Sequence, residues 1–247
     1  MSKTFYFAGE RFRKVKKNHE ICGMRKPVIA IDGYSSTGKS SISKVIAERL
    51  GLIHMDTGAL YRGITYFALK NCLNESGEID LNLLFQRINE VDLQFREVGS
   101  ELVLLLNNID ISKEIRSNEV SSHVSLIACQ KEVRDFLMDA QRSIASKGGV
   151  IMDGRDIGTV VLPDADYKFF LTASIEERTK RRFLELQNMG LAAEENQVKH
   201  NLISRDQIDS TREVAPLKQA NDAILIDNSK LNKIETIELI LSYIKDF

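Results

Sequence analysis

VIAIDGYSSTGKSSISKVIAERLG, residues 28–51, decides the fold. Four apolar residues lead into a loop with two glycines and a lysine. Ile42, Val45, Ile46 and Leu50 then recur at helical spacing, and Gly51 is a natural stop. Within the stretch, Gly33, Tyr34, Ser35, Ser36, Thr37, Gly38, Lys39 and Ser40, followed by Ser41, fit G-x-x-x-x-G-K-[ST]. A strand before and a helix after are the context that this pattern requires. The glycines let the backbone curl so that successive N–H groups point inward. The helix N-terminus adds its dipole, and Lys39 a cation for β- and γ-phosphates. Ser40 offers a hydroxyl to an Mg²⁺ ion bridging those phosphates. The stretch predicts a nucleoside triphosphate site.

Four more apolar runs read as buried parallel strands: LIHM at 52–55, VIM at 150–152, KFFL at 168–171 and AILI at 223–226. Helical patterns separate most of them. Leu60, Ile64, Phe67 and Ala68 form one, and Ile234, Ile237, Leu241 and Ile244 another. Ser174 with Glu177 reads as a capping box opening a third. This rhythm predicts an α/β P-loop NTPase-type three-layer fold with a five-stranded parallel sheet and ligands at the carboxyl ends of its strands. Two regions break it. VDLQF, ELVLLL and IDI, separated by VGS and NN, predict a small antiparallel β-meander inserted over about 81–116. Residues 174–218 hold Arg178, Lys180, Arg181, Arg182, Lys199, Arg205, Arg212 and Lys218 on a polar helical stretch. A charge run of this kind is commonly a solvated face; beside a phosphate site it reads as a mobile cationic lid. The domain expected is 27–247, its core formed by 27–80 and 117–247.

The 247 residues suffice for one generous core with an insertion, and 43% hydrophobic with 28% charged residues is ordinary for a soluble globular chain. A net charge of −1 attracts neither nucleic acid nor membrane globally, so anion handling must be local. Cys22, Cys72 and Cys129 and the four histidines are scattered, without metal or redox spacing. No apolar run approaches the ~18 residues of a membrane span. These features predict a cytoplasmic protein, and a monomer is expected. Residues 1–26 carry eight Lys or Arg against two Glu and lack a signal-peptide core, so a basic, solvated, flexible tail is expected.

A GTPase would show an N-K-x-D base reader, and a mechanical or transport ATPase a Walker-B acid pair or LSGGQ; none is found. A small kinase passing a phosphoryl group to a bound acceptor remains. Its acceptor side is read from MDTGALYRG at 55–63 and MDGRDIG at 152–158. Asp56 and Thr57 suit helix capping as well as ligand contact. Arg62 exceeds capping needs, since its fork suits a phosphate. The VIM strand delivers Asp153, Arg155 and Asp156 to the edge that carries the Gly-rich loop. Arg155 suits an anion, Asp156 an amino group, and Asp153 either Mg²⁺ through water or the orientation of Arg155.

GYSSTGKSS, MDTGALYR, DGRDIGTVVLPDADYKFFLTAS, RDQIDSTREVAPL and DAILID resemble the bacterial cytidylate kinases, a P-loop nucleoside monophosphate kinase family; the resemblance runs from about residue 27 to the C-terminus. It implies ATP + CMP → ADP + CDP, with dCMP also accepted, ATP and Mg²⁺ required, and no nucleic-acid partner. It further implies that Arg62 and Arg155, with Tyr61 nearby, meet the CMP phosphate, and that Ser125, Arg134 and Asp156 read cytosine. Asp56, Asp209 and Arg205 would hold the ribose. Arg212 would reach in from the lid and act with Lys39, Arg155 and Arg205 in catalysis. Tyr34, Ser35, Ser36 and Thr37 depart from the Gly, Ala or Pro common in that loop. The rival readings are another P-loop small-molecule kinase, of uridylate or shikimate type, and a non-catalytic nucleotide sensor.

Overall fold

The structure, a computed structural model, describes residues 4–5, 26–98 and 101–245. In chain order the strands are β1 (Thr4–Phe5), β2 (Val28–Gly33), β3 (Ile53–Asp56), β4 (Leu93–Val98), β5 (Glu101–Leu106), β6 (Ile109–Asp110), β7 (Val150–Gly154), β8 (Tyr167–Thr172) and β9 (Ile224–Asp227). The helices are α1 (Lys39–Leu50), α2 (Thr57–Asn71), α3 (Leu81–Arg87), α4 (Asn118–Ala128), α5 (Lys131–Ala145), α6 (Ile175–Asn188), α7 (Glu195–Thr211) and α8 (Lys233–Tyr243). These elements fall into two compact units.

The larger unit comprises Lys26–Gly58, Cys129–Lys131 and Gln141–Phe247. Its sheet is parallel throughout, in the order β3-β7-β2-β8-β9, and all five strands match the apolar runs. Every residue of the central strand β2 is buried, which is why it reads as a continuous apolar run rather than an alternation. Ile29, Ile31, Ile151, Phe169 and Leu171 from the strands pack with Ile42 and Ile46 of α1 and Ile237 and Ile240 of α8. Each such side chain contributes about 1.5–3 kcal/mol on burial. Gly51 closes α1 as expected, its N–H bonded to Ala47 and Glu48 carbonyls. The capping box expected at α6 is only half present. Ser174 Oγ accepts from Glu177 N at 3.2 Å, but the Glu177 carboxylate turns to Arg181, a stronger charged partner than the cap's own N–H. The reciprocal box lies at α8, between Asn232 and Glu235.

The smaller unit comprises Ala59–Ala128 and Glu132–Ala140 together with the strand at Thr4–Phe5. Its sheet is antiparallel, β1-β4-β5-β6, and contains the predicted meander. The unit extends beyond 81–116 because α2 packs on the meander. A Cβ on Gly63 would lie 2.8 Å from Leu93 Cδ2, so helix and strand touch closely. Three residues of 1–26 are described. Thr4 and Phe5 pair with Arg96 and Phe95, adding to a β4 edge that has backbone groups to offer. Lys26 joins the larger unit, its ammonium 2.7 Å from the Gly51 carbonyl. The rest of 1–25, Cys22 included, lies outside the described residues. Cys72 is a buried free thiol.

Candidate active site

The Gly-rich loop joins β2 to α1 at the carboxyl edge of the parallel sheet. Gly33 sits at φ +143°, and a Cβ there would lie 2.0 Å from the Leu171 carbonyl oxygen, so β2 can run this close to β8 only with glycine. Lys39 folds back over the loop and donates to the Tyr34 carbonyl at 2.7 Å, as does the Thr37 hydroxyl at 3.0 Å. Lys39 is 6% exposed. Burial, and then the neighbouring Arg155, pull its amine down to about 7, against the attraction of Asp153, Asp32 and Asp56. An anion entering the loop would restore the charge.

β7 lies beside β2, so its tip reaches this loop. Asp153 Oδ2 accepts from Ser40 Oγ at 2.6 Å, Asp153 Oδ1 pairs with His54 Nε2 at 2.7 Å, and Thr57 Oγ1 donates to the Asp153 carbonyl at 2.8 Å. The Asp153 carboxylate thus bonds the hydroxyl that ends the Gly-rich loop. Arg155 donates to Ser35 Oγ at 2.7 Å and to Asp209 Oδ2 at 2.9 Å, tying the loop to α7. Asp156, 3% exposed, accepts from Arg212 at 3.3 Å. Burial raises the Asp209 carboxyl, but Arg155, Arg205 and Arg212 outweigh it and hold the group below the usual range.

The turn after Asp156 is shaped by Asp32, a residue the sequence reading left within its strand. Its carboxylate accepts from Ile157 N at 2.8 Å and Gly158 N at 2.7 Å. Burial raises its pKa to about 7 despite those two bonds. Gly154 is needed for space: a Cβ would come within 2.7 Å of Ile157 Cδ1 and 2.8 Å of Thr57 Oγ1. Gly154→Ala should therefore cost roughly 1–3 kcal/mol through overpacking. A thermal melt several degrees below wild type is the expected reading, and an unchanged melt would show that the turn has slack.

The stretch expected as a lid forms α6 and α7, held to each other by Leu186, Val198 and Leu202. Its cations divide by direction. Arg182 and Lys199 make exposed pairs with Glu185 and Glu176, the ordinary solvated face. Arg178 is buried, stacks 5.1 Å over the Tyr34 ring, pairs with Asp206 and reaches the Ser35 carbonyl. Arg181 bonds the carbonyls of Thr37 and Asn228, and Asn228 Nδ2 also donates to Thr37 O at 2.9 Å. The roles of Arg178, Arg181 and Asn228 were missed. Asn228 had one signal, its place just beyond the carboxyl end of β9.

Four expected contacts belong to the smaller unit. Tyr61 and Arg62 lie on α2, Ser125 on α4 and Arg134 on α5. Arg134 is 2% exposed, sits 5.5 Å over the Tyr61 ring and donates to the Ala128 carbonyl at 3.1 Å. Ser125 is likewise buried. The larger unit gathers Lys39, Ser40, Asp56, Asp153, Arg155, Asp156, Arg205, Asp209 and Arg212 at one sheet edge.

A phosphate loop with its lysine and a Ser–Asp pair, beside a second cluster of arginines and aspartates, defines a P-loop phosphotransferase. The cytidylate kinase family profile matches residues 29–246, and the chain belongs to that family. The cytidylate kinase of Bacillus cereus (strain ATCC 10987 / NRS 248) is 43% identical over 216 residues, covering 87% of this chain and 95% of that protein. That of Streptococcus pneumoniae (strain Hungary19A-6) is 47% identical over 218 residues, 88% and 96% of the two chains. That of Streptococcus equi subsp. equi (strain 4047) is 44% identical over 220 residues.

Proposed function

We propose that this chain transfers the γ-phosphoryl group of ATP to CMP and dCMP, giving the diphosphates. The observation that carries the reading is Asp156, a buried carboxylate two residues beyond the end of β7, the strand beside β2, where an amino-bearing base rather than a second phosphate is the fitting partner. In this reading Arg62 and Arg155 hold the acceptor phosphate, Tyr61 lies beside it, and Ser125 and Arg134 complete the reading of cytosine. Asp56, Thr57, Arg205 and Asp209 take the sugar side. The transfer asks little covalent chemistry of the protein: it aligns an acceptor oxygen with the γ-phosphorus and offsets growing charge through Lys39, Arg155, Arg205 and Arg212.

Mg²⁺ fits the residues present. Ser40 and Asp153 offer a hydroxyl and a carboxylate oxygen. Mg²⁺ commonly takes one or two protein ligands of this kind and the rest from phosphates and water. When bound, it would neutralise charge on the phosphates. No helix among the described residues is long and apolar enough to cross a membrane. The family resemblance leads us to read the enzyme as a cytoplasmic monomer without a nucleic-acid partner.

An acceptor panel of CMP, dCMP, UMP, AMP and shikimate, read by ADP release, tests the proposal. CMP and dCMP should dominate; a preference for UMP or shikimate, or binding without turnover, would overturn it. Arg212 supplies a finer test, since α7 brings it to Asp156 rather than to the Gly-rich loop. Arg212→Ala should lower kcat about 10- to 150-fold, the worth of one charge-assisted bond, while ATP affinity measured without CMP changes little. Equal losses in the two would assign Arg212 a static binding role.

A further inference from the structure

His54 has no part in the reading so far, yet it makes the closest side-chain contact to Asp153 besides Ser40. It is the second residue of β3, paired in register with Ile151 of β7, two residues before Asp153 and on the same sheet face. Its Nε2 lies 2.7 Å from Asp153 Oδ1; His54 is 18% exposed in its side chain and Asp153 3%. An ionised carboxylate only accepts, so Nε2 carries the proton and donates. The two oxygens of Asp153 are thereby distinguished, Oδ1 taken by the ring and Oδ2 facing the Ser40 hydroxyl at 2.6 Å.

We infer that His54 is a positioning residue: by holding Oδ1 it fixes the rotation of the Asp153 carboxylate and presents Oδ2, with Ser40, to the magnesium ion of the bound nucleotide. The inference rests on the Mg²⁺-nucleotide reading above. Its physical basis is general. A carboxylate free to swing about its terminal bond offers either oxygen to a metal, and fixing it removes that freedom before binding. Outer hydrogen-bond partners of this kind are typically worth 10- to 100-fold in metal affinity. His54 bonds Asp153 rather than a residue of the Gly-rich loop, so nucleotide affinity without metal should not depend on it.

The test measures binding rather than turnover. A non-hydrolysable ATP analogue is titrated calorimetrically into the full chain, first in EDTA and then at rising MgCl₂. In EDTA, wild type, His54→Phe and His54→Gln should bind within about twofold of one another. His54→Phe should then need roughly 10- to 100-fold more Mg²⁺ to reach half of the metal-dependent gain in affinity. His54→Gln, which retains an N–H donor, should recover most of the loss. His54→Ala serves in place of the phenylalanine variant should that one not fold. A wild-type chain with no Mg²⁺ effect would overturn the metal reading and this role with it. A clear wild-type effect that His54→Phe leaves unchanged would overturn the role of His54 alone, as would an equal loss in EDTA.

Discussion

Lys39→Ala is expected to lower kcat at least ~10²-fold in a protein that still folds. The lysine is the cation fixed inside the Gly-rich loop, and charge developing on a transferring phosphoryl group is stabilised most by groups held in place beforehand. Folding should survive for a reason the structure supplies. Burial holds the Lys39 amine at about 7, below its ordinary 10.5. A lysine lowered in this way costs stability wherever the unfolded chain is protonated, in full below about 7 and fading as pH rises toward 10.5. Removing it relieves that cost at neutral pH and forfeits one bond to the Tyr34 carbonyl. The variant should melt close to or above wild type. Near-normal turnover in a folded variant would refute the phosphate-loop assignment.

Asp156→Ala should cost roughly 10- to 150-fold in kcat/KM for CMP, the equivalent of about 1.5–3 kcal/mol for a charge-assisted bond. Cytosine presents an amino donor where uracil presents a carbonyl, and an ionised carboxylate rewards the first and repels the second. UMP should therefore lose little or gain, and the CMP-to-UMP ratio should shrink. Because Asp156 also accepts from Arg212, both of them buried, a thermal melt must accompany the kinetics. Losing CMP and UMP activity in equal proportion would make Asp156 structural or phosphate-directed. Asp156→Asn sharpens the contrast, since an amide can turn either an acceptor or a donor toward the base.

The parallel sheet was legible because burial on both faces leaves apolar runs such as VIAI and KFFL, and because the Gly-rich loop allows few local structures. The meander was legible from its turns. What escaped depends on side chains that meet backbone far away in sequence. Asp32 reads as the polar end of a strand until β7 lies beside it and two N–H groups 125 and 126 residues on find its carboxylate. His54 looks like one of four scattered histidines until β3 pairs with β7. Ser174 and Glu177 have the spacing of a capping box, yet a nearby arginine takes the glutamate. The even cationic character read for 174–218 also divided, since helix geometry turns Arg178, Arg181 and Arg212 inward and leaves Arg182 and Lys199 to surface partners.

The bond from Asp32 to the turn after Asp156 bears on how such an enzyme can change its diet. The residue that leads into the phosphate loop is also the one that folds the turn after Asp156, so the two parts are physically coupled. A new base preference gained by exchanging DGRDIG for another turn would strand a buried carboxylate unless the newcomer offered two N–H groups at the same place. Moved into a host without an acid at this position, the turn would leave two buried donors unanswered, at about 1–3 kcal/mol each. Substitution of single side chains on the existing turn, Asp156 foremost, is therefore the easier route to a new specificity than transplantation of the turn itself.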